Sequence, residues 1–295
     1  MNPKVFLSIV LPVYNEGKII IKQIEDLEKK LKYRHEILVI YDFEKDTTIP
    51  YIKKLQIKYK QSFSSNKQSF SSNKQSFSSN KNLSFAQNLD SRSARIKQSL
   101  WPSPSKNSTA GLESLRGLKN IYGRGVINAV KTGFKKFTGE AVVVMPADLA
   151  DDPETINRMF KKFLQGYDIV CATRYAKGGR KIGGGFLKTA LSRTAGIMTP
   201  LLLGIQTTDI ANGFKMYRRK VIESMKIEST GGWEYSTEMV IKAHRAGFKI
   251  GEVPTIWRDR TSGKSKFKLL KWLPKYIRWY LWGILLRLNV NRLVV

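Results

Sequence analysis

The stretch that decides the fold is Gly139-Glu140-Ala141-Val142-Val143-Val144-Met145-Pro146-Ala147-Asp148-Leu149. Its continuous apolar run is typical of a strand buried on both faces, as in a parallel sheet covered by helices. Asp148 follows at the carboxyl end of that strand, the edge at which open α/β sheets bind ligands. A second apolar run, residues 36–41, ends in the same way at Asp42, with Asp46 close behind. Two acidic strand ends predict a site for a metal-bound phosphate ester, although each aspartate alone is more typical of a turn or helix cap.

The composition describes a globular protein with a large excess of positive charge. The 295 residues are 42% hydrophobic, enough for one sizeable core or two modest ones. A formal net charge of +29 predicts an anionic partner, which can be nucleic acid, an acidic membrane or a phosphorylated substrate. The single cysteine, Cys171, excludes an intramolecular disulfide and a cysteine-based zinc site, and it is typical of a reducing compartment. With no recognisable secretory signal at Met1, we predict a cytoplasmic location.

The order of elements predicts an α/β fold interrupted by an insertion. A strand, a helix and a second strand open the chain and predict a right-handed parallel βαβ unit. From Gln61 to Lys81 the heptapeptide Gln-Ser-Phe-Ser-Ser-Asn-Lys occurs three times, and its single apolar residue leaves no continuous coiled-coil seam. We therefore predict disorder there, inside a basic insertion over residues 57–117. The α/β signals resume after it, with helices at 126–136, after Pro153 and at 186–203, and strands ending at Asp148 and Thr173.

The chain after Asp259 contains no acidic residue. Its basic residues recur in steps of three and four that align them on one helical face: Lys264, Lys268, Lys271, Lys275 and Arg278. The longest uncharged run, residues 279–286, is far shorter than the roughly 20 residues needed to span a bilayer. Residues 261–295 are thus predicted to form an amphipathic segment in the membrane interface. The periodicity fits a helix packed on the domain equally well, but three tryptophans favour the membrane.

Six motifs, in this order along the chain, resemble those of family 2 glycosyltransferases, and most of all the polyprenyl-phosphate (dolichyl-phosphate) mannose synthases. They are Leu11–Glu16, the Asp148 strand, Thr173-Arg174-Tyr175 with Gly178-Gly179, Asp209 followed by Asn212-Gly213-Phe214-Lys215, Glu252-Val253-Pro254, and Asp259–Lys266. The resemblance implies a GT-A fold, with a mostly parallel Rossmann-like sheet flanked by helices. It covers residues 1–56 and 118–260 as one catalytic domain.

The resemblance also implies roles for single residues on the donor side. Asp148 matches the second aspartate of the motif that holds Mg²⁺ or Mn²⁺ on the donor diphosphate. The other matching positions contact the donor nucleotide or close over its phosphates: Pro12, Tyr14, Asn15, Glu16, Asp42, Asp46, Arg260, Lys264 and Ser265.

Two motifs depart from the family pattern. Pro146 stands where the family commonly has the first carboxylate of an Asp-Ala-Asp motif, so metal binding is less well supported than usual. Asp151 or Asp152 can supply a replacement ligand, or both can serve at the start of the following helix. The usual Asp-Asp-Gly-Ser pattern appears as Tyr41-Asp42-Phe43-Glu44, with Asp46 retained, which leaves the donor base open.

On the acceptor side, the resemblance implies that Arg174, Lys188 and Ser192 hold a phosphate, with Lys188 at a position that is often arginine. The implied reaction is inverting transfer of mannose or glucose from a nucleotide sugar to a polyprenyl phosphate, by an enzyme attached peripherally to the inner face of the cell membrane. A glycan hydroxyl acceptor is the alternative, and it would need a carboxylate base, for which Glu234 and Glu238 are candidates. A nucleic-acid-binding protein is a third hypothesis, although no recognisable motif supports it and we predict no such partner.

Overall fold

The computed structural model describes residues 7–72, 112–259 and 269–288, and its central feature is a seven-stranded sheet. The strands are β1 (Leu7–Pro12), β2 (His35–Tyr41), β3 (Leu112–Lys119), β4 (Ala141–Val144), β5 (Ile169–Thr173), β7 (Lys215–Arg218) and β8 (Ile250–Pro254). They lie in the order β3-β2-β1-β4-β7-β5-β8, and every neighbouring pair is parallel except the two that involve β7. β6 (Arg180–Ile182) and β9 (Ile256–Arg258) form a separate parallel pair.

Helices cover both faces of the sheet. They are α1 (Ile19–Lys30), α2 (Ile49–Ser72), α3 (Val126–Lys136), α4 (Glu154–Leu164), α5 (Phe186–Met198) with a π-helical turn (Thr199–Leu203), α6 (Arg219–Ser224), α7 (Tyr235–Arg245) and α8 (Leu269–Arg287). One core joins the sheet to α1, α2 and α4, and a second core joins the opposite face to α3, α6, α7 and α8. The expected α/β architecture with a mostly parallel, helix-flanked sheet is confirmed.

The strands are apolar on both faces because both faces are covered. Ile9 and Val10, adjacent on β1, are fully buried in the two different cores. On the face that carries α3, Gly133 brings the helix close to the sheet, since a Cβ there would lie 2.4 Å from a methyl carbon of Val10. Cys171 is a buried strand residue, as predicted.

The predicted boundary of the insertion was wrong at its C-terminal side. β3 begins at Leu112, inside the region assigned to the insertion, and it pairs in parallel with β2. The sequence pattern did not reveal it, because the leucines of this edge strand recur every third residue instead of at the two-residue period of a half-buried strand. Two of its charged residues form ion pairs across the strand pair: Glu113 with Arg34 at 2.5 Å and Arg116 with Glu36 at 2.7 Å.

The predicted disorder also began too early. Helix α2 runs to Ser72 and therefore includes the first repeat and part of the second. Within residues 49–60, the part of α2 whose side chains the structure describes, the buried apolar ones are Ile49, Ile52 and Leu55. The rest of the repeat region, up to residue 111, lies outside the described residues.

The C-terminal helix α8 packs on the domain. The indole Nε1 of Trp279 donates to Ser229 Oγ at 2.8 Å, and the Tyr280 hydroxyl donates to the carbonyl oxygen of Ala195 at 2.5 Å. Pro274 lies inside this helix. Its outer face exposes Ile277, Leu281, Leu285 and Arg278. Within the described residues, no helix combines the length and the apolar character needed to cross a bilayer.

Candidate active site

The candidate site lies at the carboxyl edge of the sheet, where the loops that follow β1, β2, β3, β4 and β5 meet. After β1 the chain adds β2 on one side, whereas β4 lies on the other. Such a reversal of strand order opens a crevice that binds ligands in α/β proteins. The position of Asp148 at this edge agrees with the prediction made from its strand.

The loops after β1 and β2 are joined by Asn15 and Asp46. Asn15 has a positive φ of 56°, and its backbone N–H donates to Asp46 Oδ2 at 3.0 Å. The other carboxylate oxygen of Asp46 accepts from the N–H of Thr48 at 2.8 Å, and Asn15 Oδ1 accepts from Thr47 N at 3.1 Å. Because Asp46 is buried with both oxygens engaged, it orders the two loops instead of contacting the donor as predicted. Glu16 is joined to the same loop through its N–H, which donates to Thr48 Oγ1 at 3.0 Å.

Asp42 holds the loop after β3 in place. Its Oδ1 accepts from Asn120 Nδ2 at 2.9 Å, and its Oδ2 accepts from the N–H of Gly125 at 2.9 Å. Gly125 has a φ of 113°, a conformation that favours glycine. Asp42 is half-buried and lies, with Pro12, at the rim of the crevice.

An aromatic surface with a cation stands beside these loops. Tyr14 is 45% exposed, and its ring meets the ring of Phe43 edge-on with centroids 5.7 Å apart. The guanidinium of Arg124 lies 5.3 Å from the Phe43 ring centroid. Flat rings with an adjacent cation suit a nucleobase and its phosphates. Phe43 and Arg124 were not among the predicted site residues, although Phe43 marks the departure in the motif that begins at Tyr41.

The acidic loop after β4 contains a strained residue. Leu149 has a positive φ of 60°, which is rare for a bulky side chain and costs on the order of 1–3 kcal/mol. Its N–H donates to Gln23 Oε1 at 3.1 Å, and the N–H of Ala150 donates to Asp148 Oδ1 at 3.2 Å. These bonds fix the turn that presents the half-buried Asp148.

Asp151 and Asp152 differ sharply in their surroundings. Asp152 Oδ1 accepts from the N–H of Glu154 at 3.2 Å and from Lys30 Nζ at 3.1 Å, so it serves at the start of α4. Asp151 is 4% exposed, and its Oδ1 has no hydrogen-bond partner within the described residues. Burial, followed by the negative charge of Asp148, raises the pKa of Asp151 to about 8.

The fit of this loop to a metal ion depends on two carboxylates. In the described part of the chain, no group of three or more His, Cys, Asp or Glu side chains is placed to hold a metal. Mg²⁺ is usually held by one or two carboxylates together with substrate phosphates and water. Asp148 with the orphaned buried oxygen of Asp151 fits a cation of this kind.

On the opposite side of the site, Arg174 is fixed by Asp209. Arg174 Nε donates to Asp209 Oδ2 at 2.7 Å, and Nη2 donates to Oδ1 at 2.8 Å. The turn that follows needs Gly179, since a Cβ there would lie 2.7 Å from the carbonyl oxygen of Thr173. Asp209 belongs to a motif quoted from the sequence, yet no role was predicted for it.

Lys181 lies within electrostatic range of two other cations, Arg174 and Lys188. Its Nζ donates to Thr189 Oγ1 at 2.5 Å and stands 5.5 Å from the ring centroid of Trp257. Burial lowers the pKa of Lys181, and the positive charges of Arg174 and Lys188 lower it further. The structure thus adds Lys181, which the sequence did not single out, as a cation that interacts with both predicted residues.

Helix α5 carries the remaining acceptor-side residues. Ser192 Oγ is hydrogen-bonded to the Tyr175 hydroxyl, which connects α5 to the loop that contains Arg174. Immediately before Lys188, the helix exposes two large apolar side chains, Phe186 at 88% and Leu187 at 60%. A cationic group and an apolar surface are therefore adjacent.

Five further residues with predicted roles either do not fit those roles or lie outside the described residues. Glu238 is fully buried, and its two oxygens accept from the N–H groups of Glu228 at 2.7 Å and Ser229 at 2.8 Å, so it is a structural residue and not a base. Glu234 likewise accepts from the N–H groups of Gly231 and Gly232. Arg260, Lys264 and Ser265 lie outside the described residues.

A family comparison accounts for this arrangement. Residues 8–69 and 108–225 match the model of "Glycosyl transferase family 2". The chain belongs to glycosyltransferase family 2. The family predicted from the motifs is thereby confirmed, and the gap in the match covers residues 70–107, most of the predicted insertion.

Two curated relatives of this family 2 chain are synthases that act with polyprenyl phosphates according to their names. The dolichol-phosphate mannosyltransferase of Pyrococcus furiosus is 33% identical over 149 residues, which are 49% of this chain and 41% of that protein. The polyprenol monophosphomannose synthase of Mycolicibacterium smegmatis is 29% identical over 184 residues, which are 62% of this chain and 68% of that protein. The match thus spans about two fifths of the first relative's length.

Solved structures agree on the fold. Glucosyl-3-phosphoglycerate synthase from Mycobacterium tuberculosis, in complex with Mn²⁺, UDP and glucosyl-3-phosphoglycerate, aligns with a TM-score of 0.54 at 16% identity. The alignment covers 96% of this chain and 79% of that one. A complex of the same enzyme with Mg²⁺ and UDP aligns with a TM-score of 0.52. The GT-A fold that the motifs implied is confirmed.

Proposed function

We propose that the protein transfers a hexose, mannose or glucose, from a nucleotide sugar to a polyprenyl phosphate at an anionic membrane surface. The observation that carries the proposal is that Lys188 directly follows the exposed Phe186 and Leu187 in α5, while Lys181, bound to Thr189 of the same helix, also interacts with Arg174. A polyprenyl phosphate has the same two parts, an anion joined directly to a hydrocarbon chain. The names of both curated relatives point to this acceptor class.

The two sides of the site suggest how the reaction proceeds. The aromatic surface of Tyr14 and Phe43 would receive the nucleoside, and Asp148 would face the diphosphate. A phosphate oxygen of the acceptor attacks the anomeric carbon, and the nucleoside diphosphate leaves from the opposite face with inversion. Because a phosphate monoester is already anionic at neutral pH, this attack needs no strong general base. Arg174, held rigid by Asp209, would orient the acceptor phosphate.

A divalent cation is part of the proposal. Asp148 would hold Mg²⁺ or Mn²⁺, which when bound neutralises the charge that develops on the leaving diphosphate. Complexes of the structural neighbour contain Mn²⁺ or Mg²⁺ with UDP, which supports the use of such an ion by this fold. The enzyme would act as a peripheral protein on the cytoplasmic face of the membrane, where α5 and α8 present apolar side chains.

A glycan hydroxyl acceptor is less well supported. Such an acceptor would need a carboxylate base, and both candidates, Glu234 and Glu238, are buried with their oxygens bound to backbone N–H groups. For nucleic acid, the charge of +29 is the supporting observation, and a binding assay with RNA and DNA tests the predicted absence of such a partner.

The test is a transfer assay with the full chain. Radiolabelled nucleotide sugars of several bases are incubated with a short polyprenyl phosphate and MgCl₂, and the organic phase is counted. We expect label in the lipid, none with the matching polyprenol that lacks the phosphate, and none with Asp148→Asn. Label transferred instead to a glycan or to 3-phosphoglycerate would overturn the acceptor assignment, and tight binding of RNA or DNA without transfer would overturn the enzyme assignment.

A further inference from the structure

Asp151 is a buried acid with a carboxyl oxygen that no group of the described structure binds. Its side chain is 4% exposed, and Oδ1 has no hydrogen-bond partner within residues 7–72, 112–259 and 269–288. Proteins seldom bury an ionised carboxylate unless it is paired with a cation or coordinates a metal. The orphaned oxygen therefore indicates a ligand that arrives from solution.

Arg174 is the cation whose charge acts on Asp151, but its guanidinium is bound to another acid. It directs two side-chain nitrogens to Asp209. At the next residue, Asp152, Lys30 lies 3.1 Å from Oδ1 and Arg158 lies 3.9 Å from Oδ2. The carboxylate of Asp148 acts on Asp151 from nearby and adds negative charge. Two neighbouring acids in a low-dielectric site attract a hard cation strongly.

The backbone holds Asp151 in this position. Asp151 forms an isolated antiparallel bridge with Trp257, and the N–H of Arg258 donates to the carbonyl oxygen of Ala150 at 2.8 Å. At the other end of the turn, Gln23 holds the strained Leu149. Because the loop is fixed at both ends, the Asp151 side chain cannot move into solvent. An acid with a purely structural role would avoid the cost of desolvation by such a movement.

We propose that Asp151 and Asp148 together ligate Mg²⁺ or Mn²⁺, with Asp151 supplying the carboxylate that Pro146 does not. Diphosphate oxygens of the donor and water would complete the shell, as is usual for Mg²⁺. Asp152, the other candidate from the sequence, is occupied at the start of α4. The inference rests on the proposed function only in taking the diphosphate from a nucleotide sugar.

The test measures metal binding without any transfer reaction. Full-length protein is titrated with MnCl₂, and free Mn²⁺ is followed by its electron paramagnetic resonance signal, with and without GDP or UDP. We expect Asp151→Asn to weaken Mn²⁺ binding at least about tenfold in the presence of the nucleotide. The matched control Asp152→Asn, one residue away with the same chemical change, should stay within about twofold of the wild type.

A second readout keeps the proposal testable if Asp151→Asn folds poorly. Millimolar Mn²⁺ with nucleotide should raise the melting temperature of the wild type and of Asp152→Asn. Equal Mn²⁺ affinity of Asp151→Asn and wild type would overturn the inference, as would a wild type that binds no Mn²⁺ even with nucleotide. Failure of sugar transfer together with Asp151-dependent Mn²⁺ binding would instead reject the proposed function and leave the metal site standing.

Discussion

Arg174 and Asp209 form a bidentate ion pair that joins the loop after β5 to the segment before β7. The two side-chain bonds measure 2.7 and 2.8 Å, and the backbone N–H of Arg174 adds a third to Asp209 Oδ2 at 3.1 Å. Asp209 is 1% exposed, and the hydrogen bonds described for its carboxylate all come from Arg174. The two bonds to the guanidinium fix its plane and direction before any substrate binds.

We therefore expect Arg174→Lys to lower kcat/KM for transfer about 100-fold or more while the protein stays folded. Lysine keeps the charge but loses the planar fork, and a small misplacement of a positioning group can cost about 10²-fold. Steady-state kinetics with varied acceptor measures the effect. The matched control is Arg218→Lys, which breaks an Arg–Asp pair with Asp168 at the opposite end of β7. Similar kinetics for both variants would contradict a role in acceptor binding.

Deleting Gln61 to Lys81 should change the melting temperature by no more than about 2 °C. The buried apolar side chains described in α2 end at Leu55, and the repeats carry one apolar residue in seven, so little burial is lost. Thermal unfolding of the full chain and the deletion variant measures this. As a positive control, Leu55→Ala should cost about 2–5 kcal/mol because it leaves a cavity against β3. A large loss on deletion would show that the repeats form part of the folded domain.

The stability of the protein should fall between about pH 7 and pH 5 partly because of His244. Burial, and then the positive charges of Arg245 and Arg287, lower the pKa of His244. The unfolded chain then binds a proton that the folded chain resists, so stability is lost as the pH falls through the unfolded pKa of about 6.5. His244→Asn should flatten the dependence of melting temperature on pH, and Arg287→Gln should flatten it less. An unchanged slope in both variants would show that another group causes it.

The fold was largely readable because its strands are buried on both faces. Such strands give continuous apolar runs that end at acidic residues in the sequence. The helix predicted at 126–136 has the same first and last residues in the structure. β3 was missed because its leucines recur every third residue, so the strand lacks the two-residue period by which a half-buried strand is predicted. The predicted start of disorder was wrong because the end of α2 is polar. Its sequence therefore lacks the periodic apolar residues by which a helix is recognised.

The sequence predicted where the site residues lie in the fold, but it did not predict what their side chains contact. Asp148 and Arg174 follow strands, so their place at the sheet edge was predictable. Which acids are available to ligands was not predictable, because that depends on the backbone N–H groups that the fold brings to each carboxylate. Such groups bind Asp46 and Glu238, whereas Asp151 Oδ1 has no partner in the described part of the chain. The Arg174–Asp209 pair is equally non-local, since 35 residues separate its partners.

Membrane binding should depend on the basic residues of the C-terminal segment. Changing Lys268, Lys271, Lys275 and Arg278 to glutamine removes four charges, each worth about 1 kcal/mol near an anionic bilayer. We expect at least about 100-fold weaker co-sedimentation with anionic vesicles at low salt, and a smaller difference at high salt because of screening. The matched control changes four exposed lysines of α2, on the other face of the sheet, to glutamine: Lys53, Lys54, Lys58 and Lys60. Equal loss in both variants would indicate a general charge effect.

The apolar end of α5 should insert next to the acceptor. Phe186 and Leu187 are 88% and 60% exposed, so changing both to serine removes little packing and should leave the melting temperature unchanged. We expect weaker binding to vesicles even at high salt, because burial of apolar surface is not screened, and a KM for polyprenyl phosphate raised about tenfold with unchanged donor affinity. Ile57→Ser with Leu164→Ser, which alters two exposed apolar residues on α2 and α4, is the control and should change neither quantity. Normal vesicle binding and acceptor KM in the Phe186/Leu187 variant would remove α5 from the membrane contact and leave α8 as the surface to test.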